Sequence, residues 1–139
     1  HHAYQAAMVE AAAAVTPFAR VQLHVGAVRQ DGSRMAKSTG NLTLVSGLLE
    51  THPAAAVRLF LLDRPWSEPW DFRAADLSAA ATRLDALYTA AGRPTGSTAA
   101  QDEVMAALLD ELDVPRAIAV AADRGGAAAR LLLRVLNLA

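Results

Sequence analysis

At 139 residues with a formal net charge of −1 and no cysteine, the chain suits one domain with a modest core, or the back part of a larger protein. Near-neutrality argues against broad electrostatic attraction to nucleic acid, and the missing thiols exclude disulfides and any thiolate metal site built from this chain alone. Apolar residues make up 53% of the chain, many of them alanine, while aromatics supply only 5%, so helices packed through small side chains are expected. No apolar run reaches membrane-spanning length and no signal-peptide pattern opens the chain, so the expectation is a cytoplasmic protein with no membrane partner.

The first segment, His2 to Ala14, is alanine-rich and meets no breaker before Pro17, so it reads as a helix. A chain that opens on His1-His2 without a methionine or a cap reads as the continuation of something longer, with the remnant of an affinity tag as the lesser reading. From Phe18 to Gln30 the pattern becomes that of a strand. Phe18, Arg20, Gln22 and His24 alternate with Ala19, Val21, Leu23 and Val25, and Gly26 marks a bend. At the carboxyl end of such a strand, where open α/β sheets bind ligands, stand His24 and Gly26. A lone strand histidine, however, is more often packed or hydrogen-bonded than functional.

Gln30-Asp31-Gly32-Ser33 reads as a tight turn, and the loop Arg34-Met35-Ala36-Lys37-Ser38-Thr39-Gly40-Asn41 follows directly. One mobile ammonium, two hydroxyls and a flexible glycine are the equipment that holds polyphosphate oxygens. Taken alone, the octamer serves equally as a plain strand-to-helix turn.

After Asn41, the residues Leu42, Leu44, Val45, Leu48 and Leu49 suit a short helix, and Pro53 starts another that runs to Leu62 and buries Val57, Leu59, Phe60 and Leu61. Arg64 to Phe72 is a connector carrying Trp66 and Trp70. These rings either stack a base or sugar or, as the preferred reading, pin the connector to the helices. Helices are then expected over Arg73 to Ala91, Ser97 to Leu112, Arg116 to Ala122 and Ala127 to Leu138. The acidic group Asp110, Glu111 and Asp113 reads as a solvated helix end rather than a metal site.

Several of these segments together carry a resemblance. The run Asp31 to Asn41 resembles the DGxKMSKSxGN loop of class I aminoacyl-tRNA synthetases, in the form used by cysteinyl-tRNA synthetases and the related cysteine ligases of mycothiol biosynthesis. His1-His2-Ala3-Tyr4-Gln5 with Glu10 is similar to the family's HHENE helix, and Phe18-Ala19-Arg20 through His24-Val25-Gly26 to its FAR-x-x-x-H-x-G strand. Ala56 to Leu62 resembles the helix after the loop, and Leu112 to Ala117 the family's LDTPKA turn.

The resemblance implies a fold that is mainly α with a short β segment: the C-terminal end of a Rossmann-type class I synthetase catalytic domain, with its last strand and KMSKS-like loop, followed by an α-helical bundle. The expected division is residues 1–63 for the catalytic portion, 64–72 for the Pro/Trp connector and 73–139 for the bundle. It also implies chemistry, the attack of a cysteine carboxylate on the α-phosphate of ATP. Lys37 is then the catalytic cation, His24, Gly26, Arg34, Met35, Lys37 and Ser38 border the ATP, and Mg²⁺ accompanies it. Arg34 keeps the charge of the family's first lysine with a different shape, and Ala36 replaces a serine. His1 and Gln5 stand at positions that help bind Zn²⁺ in the family, the other ligands coming from outside this chain. Gln5 is a poor metal ligand where the synthetases carry glutamate, which favours the ligase over the synthetase.

An end at Ala139, before any sequence that would read an anticodon, points the same way. No HIGH-type histidine motif occurs here, so the chain is not expected to act without the missing N-terminal half, covalently joined or as a separate partner. The leading expectation is therefore the ATP-clamping portion of a cysteine ligase that couples L-cysteine to an amino sugar, glucosaminyl-inositol. Two alternatives are a cysteinyl-tRNA synthetase portion, with tRNA as partner, and a noncatalytic helical binding module or subunit whose loop is vestigial.

Overall fold

The computed structural model describes residues 2–139, which form seven α-helices and one small sheet. Helix α1, His2–Ala13, forms where alanine is dense, and no residue in it is buried, so local propensity rather than packing accounts for it. Its Glu10 accepts a hydrogen bond from the Phe18 backbone nitrogen at 2.8 Å and ties the following segment back to the helix.

The expected strand from Phe18 to Gln30 is realised only as β1, Val28–Gln30. A strand needs a neighbour for its backbone groups, and β1 gains neighbours only at its end. Antiparallel β2, Ser33–Arg34, pairs with it through Arg29 with Arg34 and Gln30 with Ser33, while parallel β3, Trp70–Asp71, places Trp70 beside Val28 and Asp71 beside Arg29. The sheet order is β2-β1-β3. Before Ala27 no strand lies alongside among the described residues, and Val21 and Val25 are 74% and 75% exposed. The β1–β2 turn does form at Asp31-Gly32. Both residues sit at positive φ, 51° and 75°, the twist that closes a two-residue hairpin.

Two helices follow the loop: α2, Val45–Leu49, and α3, Ala54–Leu62, the latter entered through Pro53 as expected. Helix α3 buries Ala56, Val57, Leu59 and Phe60; Leu61, expected inside, points outward and is 44% exposed. Four inward side chains already fill the stripe a nine-residue helix can offer one neighbour. The connector is pinned at both tryptophans. Trp70 meets Phe60 edge to face at 5.4 Å, and Trp66 donates its indole N–H to the Glu111 carbonyl at 2.6 Å.

The remainder is a helical bundle of α4, Ala74–Ala91, α5, Thr98–Leu109, α6, Val114–Arg124, and α7, Gly126–Val135. Leu77, Ala80, Leu84, Leu87 and Ala90 recur along α4 at three- and four-residue steps and all are buried. The Ser97 hydroxyl caps α5 by accepting from the Ala100 nitrogen at 3.1 Å, and the Asp113 carboxylate caps α6 by accepting from the Arg116 nitrogen at 3.0 Å. Helix α5 ends short of Leu112 because the chain reverses through Glu111 and Leu112, at φ of 52° and 59°, to bring Asp113 to its capping position. The acidic group is spent on structure, with Asp110 paired to Arg116 and Asp113 on the cap. One core joins Ala56 and Leu59 of α3 to Leu84, Leu87, Val104, Ile118 and Leu132 of the bundle. A second, smaller one gathers Val57, Phe60, Leu77 and Ala80, with Leu48, Trp70 and Phe72 against it.

Candidate functional site

The β1–β2 hairpin presents the lysine loop. Met35 extends the ladder by one bond, its nitrogen donating to the Val28 carbonyl at 3.0 Å, and its side chain faces a small apolar cavity of about 130 Å³ shared with Phe60, Trp70 and Phe72. Past Ala36 the chain makes one 3₁₀ turn over Lys37–Thr39 and leaves it through Gly40 at φ 70°, whose nitrogen donates to the Lys37 carbonyl at 3.3 Å. A turn this short orders its backbone without burying side chains, and Lys37 and Ser38 both stand exposed. Among the described residues neither the Lys37 ammonium nor the Ser38 hydroxyl has a hydrogen-bond or ion-pair partner.

The side chain of Asn41 holds the base of this loop together. Its Oδ1 accepts from the Ala36 nitrogen at 3.0 Å and from the Thr39 hydroxyl at 2.6 Å, and its Nδ2 donates to the Arg34 carbonyl at 3.3 Å. Asn41 belongs to the motif, yet no pattern in the sequence assigns it a role. The available signal was that asparagine next to a turn habitually bonds nearby backbone groups.

Arg34 and His24, separate in the sequence, meet on the wall of one cavity of about 470 Å³, with His2, Gln5, Phe18 and Gln22 completing its polar and aromatic lining. Lys37 and Ser38 are not on that wall; they stand on the turn beyond it. The register sets Arg34 directly across from Arg29, two cations on one face, and neither forms an ion pair among the described residues. Like charges placed opposite one another cost stability, by about 0.2–1 kcal/mol, unless an anion lies between or near them.

Gly26 sits under the connector. Its nitrogen donates to the Trp66 carbonyl at 2.8 Å, and a Cβ there would lie 1.9 Å from the Glu68 carbonyl oxygen, so only glycine lets the two backbones approach this closely. Arg64 braces the same connector from the other side. Its guanidinium lies 3.6 Å over the Trp70 ring and 4.7 Å from that of Phe60, and it donates to the Phe60 carbonyl. Burial pulls its pKa down, against the raising influence of Asp63 and Asp76, yet an arginine in this setting stays a cation.

His1, the expected metal ligand, lies outside the described residues. Gln5 contributes only a neutral amide, and its Oε1 lies 3.2 Å from His2 Nδ1. Among the described residues no grouping of three or more histidine, aspartate or glutamate side chains is placed to hold a metal ion. These residues therefore do not fit a zinc site by themselves. No helix among them is long and apolar enough to cross a membrane.

Comparison with known proteins adds to this geometry. The family model described as tRNA synthetases class I (C) catalytic domain matches residues 1–82. An L-cysteine:1D-myo-inositol 2-amino-2-deoxy-alpha-D-glucopyranoside ligase from Parafrankia sp. is 42% identical over 132 residues, covering 93% of this chain and 30% of that protein. A cysteine–tRNA ligase from Parvibaculum lavamentivorans is 40% identical over 130 residues, covering 88% of this chain and 28% of that protein. The chain thus spans under a third of the length of either relative. Among solved structures, the ternary complex of Agrobacterium radiobacter K84 agnB2 LeuRS with tRNA and LeuAMS superposes with a TM-score of 0.62 at 17% identity, over 97% of this chain and 23% of that one. At that identity the likeness establishes the fold alone.

Proposed function

The chain belongs to the class I (C) tRNA synthetase catalytic-domain family, and from that membership we propose that it is the ATP-clamping portion of a cysteine ligase that makes cysteinyl-adenylate and passes cysteine to an amino sugar, glucosaminyl-inositol, in mycothiol biosynthesis. In the first step a cysteine carboxylate oxygen bonds to the α-phosphorus of ATP while the bond to pyrophosphate breaks. In the second, the acceptor amine attacks the acyl carbon and AMP leaves. Negative charge builds on the transferring phosphate and its leaving group, so a cation that meets them only then lowers the barrier. Lys37 is that cation. The observation that carries the reading is its ammonium, exposed on a turn of the family's loop and unengaged by any described side chain.

Arg34 and Ser38 join Lys37 in holding the ATP, His24 and Gly26 border the adenylate, with His24 and Arg34 on one cavity wall, and Met35 anchors the loop through its apolar cavity. Mg²⁺ would accompany the ATP. A zinc ion, which the family resemblance implies, would need ligands outside the described residues, and no step here runs through it. The division into a catalytic portion over 1–63, a connector over 64–72 and a bundle over 73–139 belongs to the same proposal, with α3 as the seam because Ala56 and Leu59 pack into the bundle core. The remaining catalytic portion, joined or separate, would complete the ATP site and cover the apolar side chains that α1 and residues 18–25 leave open.

The amino sugar is preferred as acceptor on Gln5 and Ala3, which stand where the synthetases carry carboxylates. A cysteinyl-tRNA synthetase portion is the second reading, favoured by the 40% identity of the Parvibaculum relative. Cysteine-dependent exchange of pyrophosphate into ATP, measured with this chain and an upstream catalytic portion together, tests the shared chemistry. Exchange is expected only when both are present, and its absence would leave the noncatalytic module. Offering glucosaminyl-inositol and tRNA in turn then separates the two ligases by which acceptor takes up labelled cysteine.

A further inference from the structure

We infer that Asn41 is a positioning residue for the lysine loop, one that holds the turn in the shape that presents Lys37 to a pyrophosphate group. The inference rests on the ATP reading of the loop and adds to it a residue that reading did not use. The backbone of the 3₁₀ turn supplies only two hydrogen bonds of its own, Thr39 nitrogen to Ala36 carbonyl at 3.2 Å and Gly40 nitrogen to Lys37 carbonyl at 3.3 Å. Both are long, and a single 3₁₀ turn gains little cooperativity from them. The Asn41 amide group adds three ties in the same space. They reach Arg34 and Ala36 before the lysine and Thr39 after it, so that they bracket Lys37 and Ser38. The Thr39 hydroxyl, 2.9 Å from the Ala36 carbonyl as well as 2.6 Å from Asn41 Oδ1, closes the ring.

The Ala36 nitrogen, the Arg34 carbonyl and the Thr39 hydroxyl at the base of the loop are thereby engaged, while among the described residues the Lys37 and Ser38 side chains at its crest have no partner. Below, Met35 is fixed by the Val28 carbonyl and its apolar cavity. A loop held this way gives up less conformational entropy when an anion binds, because the turn is already made. Losing the Asn41 side chain would return that cost to the binding step.

The test uses the ¹⁵N-labelled chain completed by an upstream catalytic portion, with inorganic pyrophosphate as probe, read by amide shifts around Lys37 and by hydrogen exchange of the Ala36 amide. Asn41→Ala is expected to speed Ala36 exchange and weaken pyrophosphate about tenfold, the equivalent of one or two net hydrogen bonds. The thermal midpoint of the bundle should not change. Thr39→Val, which removes one tie without adding charge, should fall between. Asn41→Asp keeps the acceptor for the Ala36 nitrogen and should restore its protection, though the added negative charge keeps pyrophosphate weak. Asn41→Ala with unchanged pyrophosphate affinity, alongside a Lys37→Ala variant that abolishes it, would overturn the positioning role and leave the ATP reading standing. A completed wild-type protein that ignores pyrophosphate would overturn both, and unaltered Ala36 exchange in Asn41→Ala would remove the brace itself.

Discussion

Helices α1 and α7 are nearly the same length and both are rich in alanine, yet α1 buries none of its twelve residues while α7 buries Gly126, Ala128, Ala129, Leu132 and Leu133 out of ten. Alanine content does not decide this; the three leucines of α7 and the way its apolar residues are arranged do. In α7 the leucines continue the stripe that the small residues begin, so one face packs against α4, α5 and α6 while Arg130 and Arg134 stay in water. In α1 the large apolar side chains stand alone, and Tyr4 and Met8 are 80% and 70% exposed. The bundle is a finished core that makes a platform. The segment before the loop is open surface, carrying Gln5, Phe18 and His24 on a cavity wall with little packed behind it.

The largest effect separates the loop's role from the platform's. In the protein completed by its remaining catalytic portion, Lys37→Ala should slow adenylate formation about a thousandfold, or ~4 kcal/mol of transition-state stabilisation. Its thermal midpoint should match wild type, since the ammonium touches no described side chain. An unchanged exchange rate would take Lys37 out of the mechanism.

Leu132→Ala addresses the platform. This side chain is fully buried among α3–α7, and its truncation should cost about 3 kcal/mol from lost burial and the cavity left behind, seen as a lower urea midpoint in the isolated chain. A loss under ~1 kcal/mol would mean the bundle is loosely packed and the contrast with α1 is overstated.

Gly26→Ala and Trp66→Phe strike the joint between the two regions. The added Cβ at position 26 would collide with the Glu68 carbonyl, so the connector must shift, at a cost of about 1–3 kcal/mol, with a red shift in tryptophan emission as Trp66 leaves its seat. Trp66→Phe keeps an aromatic ring but removes the indole donor to the Glu111 carbonyl together with part of the bicyclic surface, and a loss of about 1 kcal/mol or slightly more is expected in urea unfolding. If Gly26→Ala proved neutral, the strand end and the connector would not be in contact in solution.

How much of this was legible beforehand depended on whether a feature is local. The Asp31-Gly32 hairpin, the Ser97 cap and the leucine stripe of α4 are short-range patterns, and the structure contains each of them. The lysine loop was legible as a motif, and its placement between hairpin and helix followed from its neighbours. The strand expected over residues 18–27 did not form, because alternation records which faces a segment can offer and says nothing of whether a neighbouring strand is present. Leu61 depended in the same way on what lay across from it, whereas the preferred reading of the two tryptophans as pins for the connector matches the structure. The Asn41 brace was hidden for a different reason: three hydrogen bonds from one amide are a property of the closed loop and leave no periodicity in the sequence.

The smallest expected effect is the sharpest measure of the contrast between α1 and α7. Met8 is 70% exposed in the middle of α1, so Met8→Ala in the isolated chain removes almost no buried area and gains slightly in helix propensity. Its urea midpoint should stay within about 0.5 kcal/mol of wild type. The same substitution in the completed protein is expected to cost more, on the order of 2 kcal/mol, if the remaining catalytic portion covers this helix as proposed. A loss near 2 kcal/mol already present in the isolated chain would show that α1 packs on the chain's own core. The open face would then be no surface for a partner, and the difference from α7 would be one of degree.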